Sequence, residues 1–298
     1  MYRRFLPLLC GGAAMAAMLL SPGVATAASA QVCTGTFEKP GVLAGTYAGD
    51  VRVQGVCAVN SGPAHIRGTL TVSAGSAVAA IFALNVTNGK ANSHLEVRGG
   101  IRVERGATLF LGCDPQSFPC KDDPSQMNPT LSSAARVGGS ITENQPLGVI
   151  VHNAKIGGSV VQTGGGGGFS CDPSGVFVKI QQPVFSAYED STVAGSITIR
   201  DLHSCWLGIT RTQVGGSVRL TDNHLADPDA IEILSNHVGD DLACFGNTPT
   251  LWDSSETSFG PNLYPRTPGP NSVEGKRLGQ CELASPATDK SPRGPGPF

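Results

Sequence analysis

One short phrase recurs along this chain and constrains its fold more than any other feature. Its strong copies read VGGSI, IGGSV, VAGSI and VGGSV, and their third residues, called anchors here, are Gly139, Gly158, Gly195 and Gly216. Weaker copies place anchors at positions 49, 68, 99, 240 and 275. The closest anchors, 49 to 68 and 139 to 158, are 19 residues apart. The longer spacings therefore indicate a unit of about 20 residues that carries inserted surface loops.

The residues that flank the anchors alternate between apolar and polar. Two positions before the anchors stand only apolar or aromatic residues, and two positions after them the column is apolar until Arg277. Alternation with period two predicts half-buried strands, and the β-branched bias agrees with it. Glycine at the anchor predicts a corner with positive φ between two short strands.

Such strands bury their apolar face when identical coils stack in parallel. A second strand per coil is expected at 148–151, 176–180 and 231–234. The sequence thus predicts an all-β chain that forms a parallel β-helix (β-solenoid) of about eight coils, roughly 40 Å long at about 4.8 Å per coil. A β-sandwich is the alternative, but it does not explain one phrase that recurs about every 20 residues.

The repeated phrase resembles the repeats of bactofilins, which are polymer-forming β-helical proteins, over roughly residues 45 to 245. The segments 244–249, 270–276 and 279–281 are similar to those of uncharacterised secreted solenoid proteins of actinobacterial type. The resemblance implies a β-helix and implies no particular activity. This chain differs from bactofilins in its leader, its cysteines and its long loops.

The first 30 residues have the form of a secretory signal peptide. Arg3 and Arg4 precede an uncharged apolar stretch over 5–20, and Ala28-Ser29-Ala30 fits a cleavage site of the A-x-A type. The two arginines also suggest a twin-arginine signal. An uncleaved membrane anchor is the alternative, but the apolar stretch is shorter than the roughly 20 residues that a spanning helix needs. We therefore expect a secreted protein without an integral membrane span after signal removal.

The cysteines predict four disulfides. Cys10 leaves with the signal, and the eight that remain are Cys33, Cys57, Cys113, Cys120, Cys171, Cys205, Cys244 and Cys281. An even number of cysteines in an exported chain indicates disulfide bonds. Residues at similar offsets from successive anchors lie on neighbouring coils, which predicts the pairs 171–205 and 244–281. Cys113 and Cys120 lie close in one loop, and Cys33 then joins Cys57.

The chain divides into five segments around the repeats. We expect a signal peptide over 1–30, an N-terminal cap over 31–45, solenoid repeats over 46–245, a C-terminal cap over 246–281 and a disordered tail over 282–298, with loops near 78–93, 113–133 and 163–175. A net charge of -2 gives no sign of a nucleic-acid partner.

No catalytic, cofactor-binding or metal-binding residue is predicted. Asp240 and Asp241 are adjacent, but neighbours on a strand point to opposite faces, unlike the facing carboxylates of a glycoside hydrolase. Asp222, Asp227 and Asp229 do not have EF-hand spacing. The histidines are scattered, with His65 and His237 at outward positions, and no Ser/His/Asp arrangement is visible in the sequence. The glycine run 164–168 lacks the Lys-Ser/Thr of a phosphate loop.

Outward hydroxyls follow several anchors, at Thr69, Thr71, Ser140, Thr142, Ser196 and Thr198. A flat array of hydroxyls is the geometry of an ice-binding solenoid, although Arg52, Arg102 and Arg219 interrupt it. Our leading hypothesis is an exported, non-enzymatic structural or interaction protein of the cell exterior, with a cell-envelope glycan or protein as the candidate partner. The alternatives are a carbohydrate-active β-helix enzyme and a glycan- or ice-binding module.

The signal region generates the first prediction. The exported protein is expected to begin at or near Gln31, because cleavage follows the small residues at 28–30. N-terminal sequencing of exported material checks this, and a first residue of Met1 would contradict it.

Overall fold

The computed structural model describes residues 30–228, 230–248 and 271–282. The predicted signal peptide, apart from Ala30, and the predicted tail, apart from Glu282, lie outside the described residues. So do Asp229 and residues 249–270 of the predicted C-terminal cap.

The N-terminal part of the chain consists of short strands joined by tight turns. These strands are β1 (Gln31–Gly35), β2 (Gly41–Val42), β3 (Gly45–Tyr47), β4 (Val51–Ala58), β5 (Ala64–Ile66), β6 (Leu70–Val72), β7 (Ala77–Ala80), β8 (Leu84–Asn85), β9 (Lys90–Ala91), β10 (Leu95–Val97), β11 (Ile101–Val103) and β12 (Thr108–Leu111). The antiparallel pair β8–β9 forms a small hairpin in the loop that follows β7.

The middle of the chain continues the same arrangement and includes one short helix. Its elements are β13 (Ala135–Val137), β14 (Ile141–Asn144), β15 (Gly148–His152), β16 (Ala154–Ile156), β17 (Val160–Thr163), α1 (Val176–Ile180), β18 (Phe185–Glu189), β19 (Thr192–Val193), β20 (Ile197–Arg200), β21 (His203–Ser204) and β22 (Trp206–Thr210).

The C-terminal part of the described chain contains the remaining strands. Its elements are β23 (Gln213–Val214), β24 (Val218–Thr221), β25 (His224–Leu225), β26 (Ile231–Leu234), β27 (His237–Val238), β28 (Leu242–Phe245), β29 (Ser272–Val273), β30 (Arg277–Gly279) and the 3₁₀ turn Gln280–Glu282. Neither the helix nor this turn, among the described residues, is long and apolar enough to cross a membrane.

The predicted parallel solenoid is confirmed, and its coils carry strands on three faces, with β21 and β25 forming a further parallel pair between the second and third faces. The strand before the anchor belongs to the first face (β3, β5, β10, β13, β16, β19, β23, β27, β29). The strand after the anchor belongs to the second face (β1, β4, β6, β11, β14, β17, β20, β24, β28, β30). The third face contains β2, the end of β4, β7, β12, β15, β18, β22 and β26.

Every coil pairs in parallel with the next one, so equal offsets from the anchors stack in register. Ile101, for example, pairs with Leu70 on one side and with Ile141 on the other. The strands of the first two faces alternate between buried and more exposed residues, and their buried residues form one continuous core. The alternation in the sequence therefore predicts correctly which side chains of these strands point into the core.

The anchor glycines are required by close packing, and the expectation of positive φ at them is wrong. Among the described residues, the anchor glycines are absent from the positions with positive φ. A Cβ on Gly158 would lie 2.8 Å from the carbonyl carbon of Gly139 and from the amide nitrogen of Ser140, on the preceding coil. Left-handed corners occur instead after third-face strands, at Asn153 (φ 47°), Asp190 (φ 49°) and Arg211 (φ 51°).

The serine after the anchor hydrogen-bonds the next coil. The Oγ of Ser140 accepts the backbone N–H of Ser159 at 3.0 Å, and Ser159 accepts that of Ser196 at 3.1 Å. The Oγ of Ser196 in turn accepts the N–H of Ser217 at 3.1 Å. Two members of the predicted hydroxyl array, Ser140 and Ser196, are thus occupied inside turns, and Arg102 stands in register between Thr71 and Thr142.

Two buried asparagine ladders support the corners of the last coils. The Oδ1 of Asn236 accepts the N–H of Thr212 at 2.9 Å, and the Oδ1 of Asn271 accepts the N–H of Asn236 at 2.9 Å. Asn223 and Asn247 repeat the arrangement at the corner that follows the second face. Because these amides satisfy backbone groups that the turns leave unpaired, they stabilise corners that would otherwise bury polar atoms without partners.

The third face is buried on its outer side as well. Phe177 of α1 packs edge-to-face against Phe110 and Phe185, and Phe185 packs in the same way against Trp206. The expected strand at 176–180 is wrong, since these residues form α1 and the strand of that coil is β18. A five-residue segment with four apolar residues fits either structure, and the packing of Phe177 over the apolar outer surface of the third face favours the helix.

Four disulfides join the four predicted pairs, of which the coil offsets predicted two, Cys171–Cys205 and Cys244–Cys281. The bonds are Cys33–Cys57, Cys113–Cys120, Cys171–Cys205 and Cys244–Cys281. Cys33 and Cys244 both occupy inward positions of the second face, near opposite ends of the stack. These two bonds cross-link the first and the last described coils.

A chain of polar side chains crosses the interior of the middle coils. Glu143 stacks on Gln162 in the second face, and the Oη of Tyr188 lies 2.5 Å from Glu143 Oε2 and 2.9 Å from Gln162 Oε1. Gln162 Nε2 donates to Ser186 Oγ at 3.2 Å. Burial raises the pKa of Glu143 to about 8. A protonated Glu143 donates to Tyr188, whose own hydroxyl then donates to Gln162, so each proton has one acceptor.

This chain predicts a pH-dependent stability. Because the pKa of Glu143 rises from 4.5 unfolded to about 8 folded, its contribution is complete below pH 4.5 and is lost as the pH rises to about 8. The wild type should lose up to about 4 kcal/mol between pH 5 and 8 relative to Glu143→Gln, whose amide keeps a donor for Tyr188. Guanidinium unfolding with intact disulfides measures this. Glu104→Gln, which changes a partly exposed carboxyl, is the control. Equal pH dependence in wild type and Glu143→Gln would contradict the account.

Candidate functional site

A groove with a volume of about 690 Å³ runs along the outer side of the first face. Its wall is the column of residues three before the anchors, in which His65, Glu96, Arg136 and Lys155 stack on successive coils. The residues one before the anchors complete the groove. They are Arg67, Arg98, Gly138 and Gly157 on the same four coils.

The two columns place their side chains outward because the strands of this face alternate. Ile66, Val97, Val137 and Ile156 point into the core between the outward columns. At Gly138 and Gly157 the second column has no side chain, so the floor is open beside Arg136 and Lys155. The groove therefore continues along the solenoid axis across four coils.

The groove is basic although the whole chain has a net charge of -2. It contains four cations, Arg67, Arg98, Arg136 and Lys155, against one carboxylate, Glu96. All four cations are exposed, and within the described part of the chain none of them forms an ion pair. Unpaired cations on successive coils can each bind an anionic group of a ligand that lies along the axis.

A histidine-rich group forms one end of this groove. His65 Nδ1 lies 3.0 Å from Glu96 Oε2, and the rings of His65 and His94 meet edge-to-face with centroids 5.5 Å apart. The pKa of His94 is lowered by burial and by the neighbouring His65, which favours the neutral imidazole. The potential ligand atoms of His65, His94 and Glu96 all lie within 4.8 Å of one another.

A second polar group lies at the corner between the third and first faces. Ser117 Oγ contacts Asp190 Oδ2 at short range, Asp114 Oδ2 at 2.9 Å and His152 Nδ1 at 3.3 Å. Arg211 donates from Nε to Asp190 Oδ1 and from Nη2 to Asp190 Oδ2, both at 2.8 Å. A cavity of about 320 Å³, partly lined by Asp114, Asp190 and Arg211, opens beside it.

This second group contains Ser, His and Asp, but it does not form a nucleophile. Burial lowers the pKa of His152 to about 3, and Ser117 and His152 are both buried. The hydroxyl has one proton, and two carboxylates, those of Asp114 and Asp190, compete with the more distant His152 Nδ1 to accept it. A catalytic histidine must instead accept the proton of the serine.

The electrostatics of Asp190 and Glu189 also indicate a structural role. Burial alone would raise the pKa of Asp190, but the guanidinium of Arg211 holds it below its usual value. Burial raises the pKa of Glu189, and Arg211 Nη2, 2.8 Å from Glu189 Oε2, opposes that rise. Arg211 thus ties the loop that carries Asp114 and Ser117 to the corner of the solenoid through Asp190.

The acidic residues weighed as candidate sites in the sequence have structural positions. Asp240 Oδ2 accepts the hydroxyl of Ser217 at 2.9 Å, and Asp241 Oδ1 accepts the backbone N–H of Lys276 at 2.8 Å. Asp222 is a corner residue with φ 54°, and Asp227 is buried beside the Cys171–Cys205 disulfide. Asp229 lies outside the described residues.

Sequence reasoning missed the groove although a signal for it was present. His65 and Glu96 each stand three residues before an anchor, as do Arg136 and Lys155. Because these four residues have the same offset from their anchors, the reasoning used to pair the cysteines also predicts that their side chains stack on successive coils. His94 stands two residues before Glu96, which puts both on the same side of the chain.

The chain matches no protein-family model, and it has no significant match among curated proteins or solved structures. Any functional conclusion therefore depends on the chain's own residues and their geometry.

Proposed function

We propose that this protein is an exported, non-enzymatic β-solenoid that binds an extended acidic polysaccharide of the cell exterior along the groove of its first face. One observation carries the proposal: four exposed cations, which have no ion-pair partner among the described residues, stand on successive coils of a continuous groove. The coil rise of about 4.8 Å spaces these charges along the groove, with two in each of its adjacent columns. A linear polymer with regularly spaced carboxylates complements such a row of charges.

The lining of the groove favours a carboxylate polymer over a nucleic acid. The guanidinium groups of Arg67, Arg98 and Arg136 bind carboxylates and phosphates alike through two parallel hydrogen bonds, so the aromatic content of the groove decides between them. Apart from the imidazole of His65, the residues that line the groove offer no aromatic ring on which bases could stack.

The groove also favours binding over glycoside hydrolysis. Hydrolysis of a glycosidic bond uses two carboxyl groups about 5 to 9.5 Å apart. Glu96 is the one carboxylate among the lining residues, and Asp240 and Asp241 are engaged in turns of the last coils.

The disulfides support the location outside the cytoplasm. Four disulfides are typical of an oxidising environment. Export itself is inferred from the signal-like first 30 residues.

Binding to polygalacturonate, a soluble uronate polymer, tests the proposal. We expect the wild type to bind it, with affinity that falls as salt is added, and to bind the neutral methyl ester far more weakly. The double substitution Arg136→Gln and Lys155→Gln should weaken binding by about tenfold or more, because it removes two charge-assisted contacts.

The matched control removes the same two charges elsewhere. Arg102 and Arg219 are exposed on the second face, so Arg102→Gln with Arg219→Gln should leave the affinity within about twofold. Equal loss in both double variants, tighter binding of single-stranded DNA than of polygalacturonate, or equal binding of the methyl ester would contradict the proposal. Release of reducing or unsaturated ends from the polymer would contradict its non-enzymatic part.

A further inference from the structure

The first coils of the groove bring three metal-ligating side chains to one point. His94 and Glu96 alternate with the buried Leu95, so both project outward from the same stretch of chain. His65 stands on the preceding coil directly opposite Glu96. Glu96 on β10, His94 directly before that strand and His65 on the neighbouring β5 thus define a triangle of ligands.

The distances and exposure of these groups suit a metal ion. Their ligand atoms lie within 4.8 Å of one another, and His65 and Glu96 already touch at 3.0 Å. A tetrahedral Zn²⁺ with bonds of 2.0–2.1 Å separates its ligands by about 3.4 Å, so modest side-chain rotation is sufficient. The side chains of His65 and Glu96 are 39% and 47% exposed, which leaves room for that rotation and for a ligand from solvent.

We propose that His65, His94 and Glu96 bind a divalent transition-metal ion of the Zn²⁺ class. Two imidazoles and one carboxylate provide three protein ligands, and the fourth position is open towards the groove. Nitrogen ligands favour this class over Ca²⁺ and Mg²⁺, which prefer oxygen.

Two other groups of potential ligands are less suited to a metal. Cys171 and Cys205 approach Asp227, but their sulfurs are joined in a disulfide. Asp114, His152 and Asp190 also lie within 4.8 Å, but the hydroxyl of Ser117 stands among them and Arg211 binds both oxygens of Asp190. The histidine-rich group has neither obstacle.

A metal here changes the charge of the groove. Coordination neutralises Glu96, the one carboxylate of the lining, and adds a cation with an open position beside Arg136 on the next coil. The metal and an acidic polysaccharide are therefore expected to strengthen each other's binding. This consequence rests on the proposed function, whereas metal binding itself does not.

Calorimetric titration of the disulfide-intact chain with ZnCl₂, and separately with CaCl₂, tests the site. We expect one Zn²⁺ per chain at this site and at least about tenfold weaker binding in His94→Ala, His65→Ala and Glu96→Gln, with unchanged circular dichroism. If His94→Ala does not fold, the Zn²⁺ affinity of His65→Ala tests the site, because the side chain of His65 is partly exposed.

The chain offers two matched controls for this titration. His203 and His224 form a ring pair with centroids 5.3 Å apart, and His237 Nε2 lies 3.2 Å from Glu274 Oε1. His224→Ala and His237→Ala should therefore leave Zn²⁺ affinity unchanged. Absent Zn²⁺ binding, equal weakening in these controls, or a preference for Ca²⁺ would overturn the metal site.

The effect of Zn²⁺ on polygalacturonate affinity separates the two proposals. We expect Zn²⁺ to tighten polymer binding by the wild type and not by His94→Ala. If Zn²⁺ binds but polymer affinity stays the same, the metal site stands and its coupling to the groove is wrong. If Zn²⁺ fails to bind while the polymer still binds, the inference about the metal is wrong and the proposed function stands.

Discussion

The whole structure depends on the parallel, in-register hydrogen bonding of each coil to the next. A single coil buries too little apolar surface to be stable, but a stack shares one core and satisfies its strands through its neighbours. Register also converts sequence offset into position, so that Ile101 lies between Leu70 and Ile141. The same rule builds the core, aligns the cysteines and lines up the cations of the groove.

Turns preserve this register at every corner. The small anchor permits close approach of backbones, as at Gly158, and the following serine accepts an N–H of the next coil. The buried asparagines accept hydrogen bonds between neighbouring coils at other corners. The glycine and serine of the recurring phrase therefore form the turns, and the apolar residues that flank them form the core. Surface positions between them are unconstrained, which leaves them available for a binding face.

The fold could be predicted from the sequence because its period is explicit, whereas the groove was missed because its residues do not recur. His65, Glu96, Arg136 and Lys155 share one offset but differ in chemistry, so no motif marks them. The helix at Val176–Ile180 was mistaken for a strand because its apolar run is too short to distinguish the two. The expectation of positive φ at the anchors was wrong. Glycine also occurs where two backbones approach closely, and that is its role at the anchors.

Peptide mapping of the non-reduced protein tests the register most directly. Disulfides form where Cα atoms come within about 7 Å, so the three bonds other than the loop bond Cys113–Cys120 report which residues the stacked coils bring together. The account predicts Cys33–Cys57, Cys113–Cys120, Cys171–Cys205 and Cys244–Cys281. A link from Cys244 to any cysteine other than Cys281 would contradict the register of the last coils, and a link between Cys33 and Cys205 would contradict the stack itself.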